Sequence, residues 1–182
     1  LLVVPRVLEK VYNAASSKAG GGIKGRMFAW SAKQARTFSV ASEKTFGPGL
    51  FKKMRHGIAD ALVLKKIRSV LGPNLRYIVS GGAPLATDLA HFYAGMGITL
   101  IQGYGLSETT GPIAVQHIGK NPVGGVGLPL PGNFIKIAKD GEILVRGQSV
   151  MPGYYHLPEQ TAEVMPDGKW FHTGDLGSID RK

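Results

Sequence analysis

The 182 residues contain no cysteine. That absence excludes disulfide bridges and thiolate metal sites, and it makes a reducing cytoplasm the default compartment. No apolar run approaches the roughly 20 residues that span a bilayer. The opening Leu1-Leu2-Val3-Val4-Pro5 is too short for a signal peptide and meets Arg6 at once. Acidic residues are scarce: 12 Asp and Glu face 22 Lys and Arg, for a net charge of +10. The imbalance sits in the first half. Residues 1–76 hold 15 Lys/Arg against 3 acids (Glu9, Glu43, Asp60), leaving +12, and residues 77–182 hold 7 against 9, leaving −2. Solvated basic helix faces are the plainer reading of that excess, and a peripheral contact with an anionic membrane is the second. The cations are spread out and no RNA- or DNA-binding motif accompanies them, so nucleic acid is not an expected partner.

Glycine is plentiful, at 26 residues, and it punctuates the chain. The length allows one large domain or two small ones with a real core. Val3 to Tyr12 reads as a strand end entering a short helix. Ser16 to Gly25, with Gly20-Gly21-Gly22, reads as a mobile linker; it lacks the Gly-Lys-Ser/Thr ending of a phosphate loop. Phe28, Ala32 and Ala35 recur at helical spacing within Arg26–Ser42. After Gly47-Pro48-Gly49, Phe51, Met54, Ile58 and Ala61 repeat the pattern, and Val63, Ile67, Val70 and Leu71 extend it to Gly72-Pro73. Leu75 to Val79 is then a candidate buried strand. Leu85, Leu89, Phe92, Tyr93 and Met96 form a helical face, and Ile98 to Ile101 is a second strand. This β-α-β order predicts parallel strands with a right-handed crossover.

Both strands end in glycine-rich chain, Ser80-Gly81-Gly82-Ala83-Pro84 and Gln102-Gly103-Tyr104-Gly105-Leu106-Ser107-Glu108-Thr109-Thr110-Gly111. In open α/β sheets ligands bind at the carboxyl ends of the strands, so the two stretches are expected to serve one crevice. Gly103 and Gly105 would let backbone N–H groups approach a ligand, Tyr104 offers a flat face for a base, and Glu108 offers a hard oxygen of the kind Mg²⁺ takes beside phosphates. A solvated turn is the plainer reading of a lone Gly-x-Gly. After Pro112 the texture changes. Phe134–Ala138 and Glu142–Arg146 flank Asp140-Gly141, a hairpin signal, and Trp170 to Asp175 reads as a strand running into a turn. Residues 1–120 thus read as α/β, part of a parallel sheet with helices. Residues 121–182 read as a β-rich, barrel-like subdomain, either a small antiparallel sheet or a fragment of a barrel. His56, His91, His117, His156 and His172 show no metal-ligand spacing, and Tyr154-Tyr155 and Trp170-Phe171 read as packing residues.

Six stretches in this order resemble the adenylate-forming superfamily, specifically its long-chain fatty acyl-CoA synthetases: Val4–Tyr12, Ser80–Leu85, Gln102–Thr110, Gly125–Gly132, Gly141–Tyr155 and Trp170–Asp175. The resemblance implies ATP-dependent activation of a fatty acid to acyl-AMP, then transfer to coenzyme A. It also implies roles. Gly81, Gly82, Ala83 and Pro84 would line the adenine and acyl side of the pocket. Gln102 would open the adenine-binding stretch, continued by Gly103, Tyr104, Gly105, Leu106 and Ser107, with Tyr104 stacked on the base. Glu108 would be the catalytic Mg²⁺ ligand, and Asp175 would hold the ribose hydroxyls. Ser107 stands where many relatives have Thr and keeps the hydroxyl. Two alternatives stand beside this reading: a relative that adenylates another carboxylic acid, and a non-catalytic nucleotide-binding module.

The resemblance places a phosphate loop before Leu1 and a small C-terminal domain with a catalytic Lys after Lys182. The 182 residues therefore read as an internal piece of the AMP-binding domain. By themselves they are expected not to form acyl-AMP, because groups that would stabilise the leaving pyrophosphate are absent. Purified residues 1–182 should show no ATP–pyrophosphate exchange above background, and measurable exchange would refute this.

Overall fold

The computed structural model describes residues 1–72, 74–119 and 122–180. Pro73, Lys120, Asn121 and the closing Arg181-Lys182 lie outside the described residues, and with them half of the Gly72-Pro73 stop and the expected boundary between residues 1–120 and 121–182. The chain divides into two compact units, residues 1–103 with 116–126 and residues 104–115 with 127–182.

The first unit is built on parallel strands. β1 (Leu2–Val3) pairs with β2 (Tyr77–Ser80), and β2 pairs with the start of β3 (Thr99–Leu106) from Tyr77↔Thr99 to Ser80↔Gln102. The expected parallel β-α-β unit is present, with α5 (Thr87–Gly95) between β2 and β3. Its apolar face buries Leu89, Phe92, Tyr93 and Met96 beside Leu8, Ala32, Leu64, Ile78 and Ile98. The Tyr93 hydroxyl donates to the Leu8 carbonyl at 2.8 Å, which satisfies the polar end of a fully buried ring,. Burial also raises the Tyr93 pKa,.

Three helical segments precede the β-α-β unit: α1 (Pro5–Ala19), α2 (Gly22–Ser42), and a run made of α3 (Leu50–Ala59), a wide π turn (Asp60–Leu64) and α4 (Lys65–Leu71). The expected linker over Ser16–Gly25 is therefore corrected to a break of two residues, Gly20 and Gly21. Gly20 takes φ +65° and its N–H caps α1 on the Ser16 and Ser17 carbonyls, so both serines stay helical,. A Cβ on Gly25 would lie 2.1 Å from the Gly20 carbonyl oxygen, so the start of α2 folds tightly over that break. Within the third run, Arg68 pairs with Asp60 across the π turn and donates to the Met96 carbonyl at 2.7 Å. The hydrogen bond from Arg68 is the main reason the Asp60 carboxyl titrates below its usual range,.

In the second unit β4 (Gly111–Val115) pairs antiparallel with β5 (Leu128–Pro129). β6 (Asn133–Ile137), β7 (Glu142–Gly147) and β8 (Phe171–Leu176) form an antiparallel sheet in that order, and α6 spans Pro158–Val164. The hairpin turns where expected: Gly141 has φ +91° and the Asp140 carboxylate accepts from the Glu142 N–H at 3.2 Å,. The small antiparallel sheet expected in residues 121–182 is present as an open sheet of three strands, and no closed barrel occurs among the described residues. Ile113, Val145 and Phe171 form the core of this unit. No helix among the described residues is long and apolar enough to cross a membrane.

α2 and α5 meet at backbone distance. A Cβ on Gly95 would sit 2.0 Å from the Ala35 carbonyl oxygen, whereas Gly57 in α3 has open space around it. Gly95→Ala should therefore cost about 3 kcal/mol or more, since the clash is with backbone. Gly57→Ala should gain up to about 1 kcal/mol from helix propensity. Urea unfolding of both variants checks the pair, and equal effects would show that the α2–α5 approach is not a constraint.

Candidate functional site

The Gln102–Gly111 stretch begins as strand rather than loop. β3 continues through Gly103, Tyr104 and Gly105 to Leu106, and only Ser107–Thr109 forms a single 3₁₀ turn before β4. The expectation of a glycine loop after Ile101 is corrected accordingly. The glycine at 105 has a packing reason: a Cβ there would lie 2.1 Å from the Gly111 carbonyl oxygen and 2.7 Å from Pro112 Cα. Gly111 itself has φ +105°, and Thr110 is left-handed at +55°. Thr109, fully buried, locks the turn: its hydroxyl accepts from the Leu106 N–H and donates to the Gly111 carbonyl, each at 2.8 Å.

This turn fixes Tyr104 and Glu108. The Tyr104 ring packs against the core of the second unit, and its hydroxyl donates to Asp175 Oδ2 at 2.8 Å. Two residues 71 apart in the chain are thereby brought together. Asp175 is held inside β8, which corrects the expectation that it lies beyond a strand end. Gly174 has φ +73° and the β7–β8 register shifts between Glu142 and Leu144, so β8 bulges at this point,. The Glu142 carboxylate clamps the bulge, accepting from the Gly174 N–H at 2.8 Å and contacting His172 Nδ1 at 2.7 Å. The Asp175 N–H donates to Thr173 Oγ1 at 3.1 Å, and that hydroxyl donates to the Ile143 carbonyl at 2.7 Å. Asp175 is exposed at the end of this network.

Glu108 Oε1 accepts from the Tyr154 hydroxyl at 3.0 Å, and its carbonyl accepts from the Met151 N–H at 2.7 Å. The hydrogen bond to Glu108 raises the Tyr154 pKa. Tyr154, read from the sequence as a packing residue, is Glu108's hydrogen-bond partner, whereas its neighbour Tyr155 is 86% exposed, with its ring centroid 4.0 Å from that of His156. Nothing local in the sequence separates the two tyrosines, because the contact spans 46 residues. Ser107 is exposed beside Glu108. Among the described residues no group of three or more His, Cys, Asp or Glu could hold a metal ion by itself.

In the first unit, Gly81 follows β2 and lies beside β3: a Cβ on it would meet the Gly103 carbonyl oxygen at 3.6 Å. Gly82, at φ +78°, Ala83 and Pro84 are exposed. Gln102 is only 7% exposed, and its polar groups are used internally. Its N–H donates to Gln116 Oε1 at 2.9 Å and its side-chain amide donates to the Gly125 carbonyl at 3.4 Å.

A parallel β-α-β sheet with exposed glycine-rich chain after β2, and an antiparallel sheet carrying an anchored carboxylate, define a mixed α/β protein. Residues 1–155 match the AMP-binding enzyme family, and the chain belongs to it. The long-chain-fatty-acid–CoA ligase FadD15 of Mycobacterium bovis is 50% identical over 97% of this chain and 29% of its own length. Long chain acyl-CoA synthetase 8 of Arabidopsis thaliana is 35% identical over 97% of this chain and 27% of its own. The N-terminal domain of FACL13 from Mycobacterium tuberculosis, a solved structure, is 27% identical with a TM-score of 0.53, covering 67% of this chain and 35% of that one. The chain spans less than a third of the length of the two ligases.

Tyr104 has its pKa pushed up to about 12, first by burial and further by the hydrogen bond and charge of Asp175. Asp175→Asn removes that negative charge. The Tyr104 pKa should then fall, yet stay above the ordinary value of about 10 because burial persists. Absorbance titration of the phenolate against a Tyr104→Phe control reads it, and an unchanged titration would show that the carboxylate does not act on the ring.

Proposed function

We propose that the chain is the nucleotide-binding part of a long-chain fatty acid–CoA ligase, which activates the acid with ATP to acyl-AMP and passes the acyl group to coenzyme A. The observation that carries this reading is the Tyr104–Asp175 hydrogen bond: it joins an aromatic ring suited to a base and a carboxylate suited to vicinal hydroxyls,. The 50% identity to a ligase of that name supports the choice of acid.

In the first half-reaction a carboxylate oxygen of the fatty acid bonds to the α-phosphorus of ATP, and the bond to pyrophosphate breaks. In the second, the coenzyme A thiolate attacks the acyl carbonyl and AMP leaves. Tyr104 gives the adenine a face whose tilt is set by its bond to Asp175. Asp175, held by the Glu142 clamp, accepts the ribose hydroxyls. Gly82, Ala83 and Pro84 keep their implied lining role, and their exposure in the first unit suits it. The buried side chain of Gln102 suits it to positioning the strand rather than touching the ligand.

Glu108 is the residue that would hold Mg²⁺. A carboxylate that belongs to no group of three or more such ligands among the described residues fits a metal that keeps waters and arrives on the phosphates, not an all-protein cage,. When bound, the metal supplies charge neutralisation at the departing pyrophosphate. The Tyr154 hydroxyl occupies Oε1 and leaves Glu108 the other oxygen to offer. The substrate partitions into membranes, and the +12 balance of residues 1–76 would draw the protein to an anionic surface,.

Glu108→Gln in the full-length enzyme keeps shape and removes charge. Adenylation should slow on the order of a hundredfold or more, with less loss in transfer from preformed acyl-AMP. Equal losses in both half-reactions would refute the metal-holding role. Failure of the unmutated enzyme to adenylate any fatty acid would refute the substrate.

A further inference from the structure

The outward face of α3 is apolar. Leu50, Phe51, Met54 and Ile58 are 85%, 62%, 54% and 48% exposed, and at about 100° per residue they fall in one sector of roughly 100°. The other side of the same run supplies the core with Ala59 and Leu64, both fully buried. Phe46, in the turn just before α3, is 100% exposed. A helix with one buried face ordinarily shows water a polar one; this helix shows a second apolar stripe.

Cations frame that stripe. Lys44, Lys52, Lys53 and Arg55 are exposed, and the Arg55 guanidinium lies 4.8 Å over the Phe51 ring, so charge and apolar surface are presented together. Asp60 is the one acid between Phe46 and Gly72, and Arg68 neutralises it. We propose that α3 and the Phe46 turn form a docking surface for an anionic lipid bilayer, with α3 lying in the headgroup plane and its rings in the acyl boundary. Amphipathic helices that combine exposed Phe and Leu with flanking Lys and Arg bind such interfaces, by apolar burial and by attraction to anionic headgroups. A second copy docked on the same face would set Lys52 and Lys53 against like charges, which disfavours self-association as the occupant. The proposal extends the membrane element of the functional reading. It is tested by vesicle binding alone, so it stands or falls apart from acyl-CoA formation.

The test uses the full-length protein and co-sedimentation with two vesicles, phosphatidylcholine alone and phosphatidylcholine with phosphatidylglycerol. Wild type should prefer the anionic vesicle and lose that preference at high salt. Leu50→Ser/Phe51→Ser and Lys52→Gln/Lys53→Gln should each cut partitioning on the order of tenfold. All four residues are exposed, so circular dichroism should be unchanged. Equal binding by wild type and both variants overturns the proposal, as does equal binding to the two vesicles. A Phe51→Cys thiol shielded from label without vesicles also overturns it, because a protein surface then covers the face.

Discussion

Gly105 has no room for a side chain, and the second unit depends on that. The Gly111 carbonyl and Pro112 Cα occupy the space a Cβ would take. Because the two chains run this close, β3 reverses into β4 through a single turn, and the Thr109 hydroxyl can reach both sides of it. The turn then has a fixed orientation. Tyr104 is committed to the core and Asp175 on one side, and Glu108 to Tyr154 on the other. Neither side chain could be aimed by a flexible glycine loop with the same residues.

A second feature of that unit is how many of its carboxylates are held by hydrogen bonds. Glu142 takes the Gly174 N–H and His172, and Asp140 takes the Glu142 N–H. Glu142 is part-buried, and its contacts satisfy a charge that desolvation would otherwise penalise,. Asp175 differs in being exposed. It receives one hydroxyl from Tyr104 and keeps acceptor capacity facing water,. A carboxylate so placed is oriented without being used up.

The sequence made some of this legible and hid the rest for physical reasons. The parallel β-α-β unit follows from apolar periodicity and is present with the register Tyr77↔Thr99 to Ser80↔Gln102. The Asp140-Gly141 hairpin follows from turn chemistry. Glycine is the ambiguous residue here. At 20–25 it marks a cap and a close approach, not a linker. At 103–105 it lies in a strand, crowded at Gly105, not in a loop, because a missing side chain signals either freedom or contact and only the neighbouring chain decides which. Tyr154 was hidden differently: its partner Glu108 lies on another strand connection, and two adjacent tyrosines carry no mark of which one faces it. For residues 121–182 the sequence leaves an open antiparallel sheet and a barrel fragment undecided, because short strands and glycine turns are common to both; the structure has the open sheet.

The π turn at Asp60–Leu64 also sets the phase of the helical run. Each residue advances an α-helix by about 100°, and a five-residue turn accommodates one more than an α turn would. The segment after it therefore starts from a rotated origin. This lets α3 present apolar side chains outward at Leu50–Ile58 while α4 presents Lys65, Lys66 and Ser69 outward and turns Ile67 and Leu71 toward the core. The Asp60–Arg68 pair ties the two phases together across the turn. A one-residue deletion at the turn would restore a plain α turn and leave every later side chain close to its present phase, whereas a deletion within α3 or α4 would swing the side chains beyond it by about 100°. The π turn is thus a point at which this helical run can lose a residue and still keep the faces of α3 and α4 where they are.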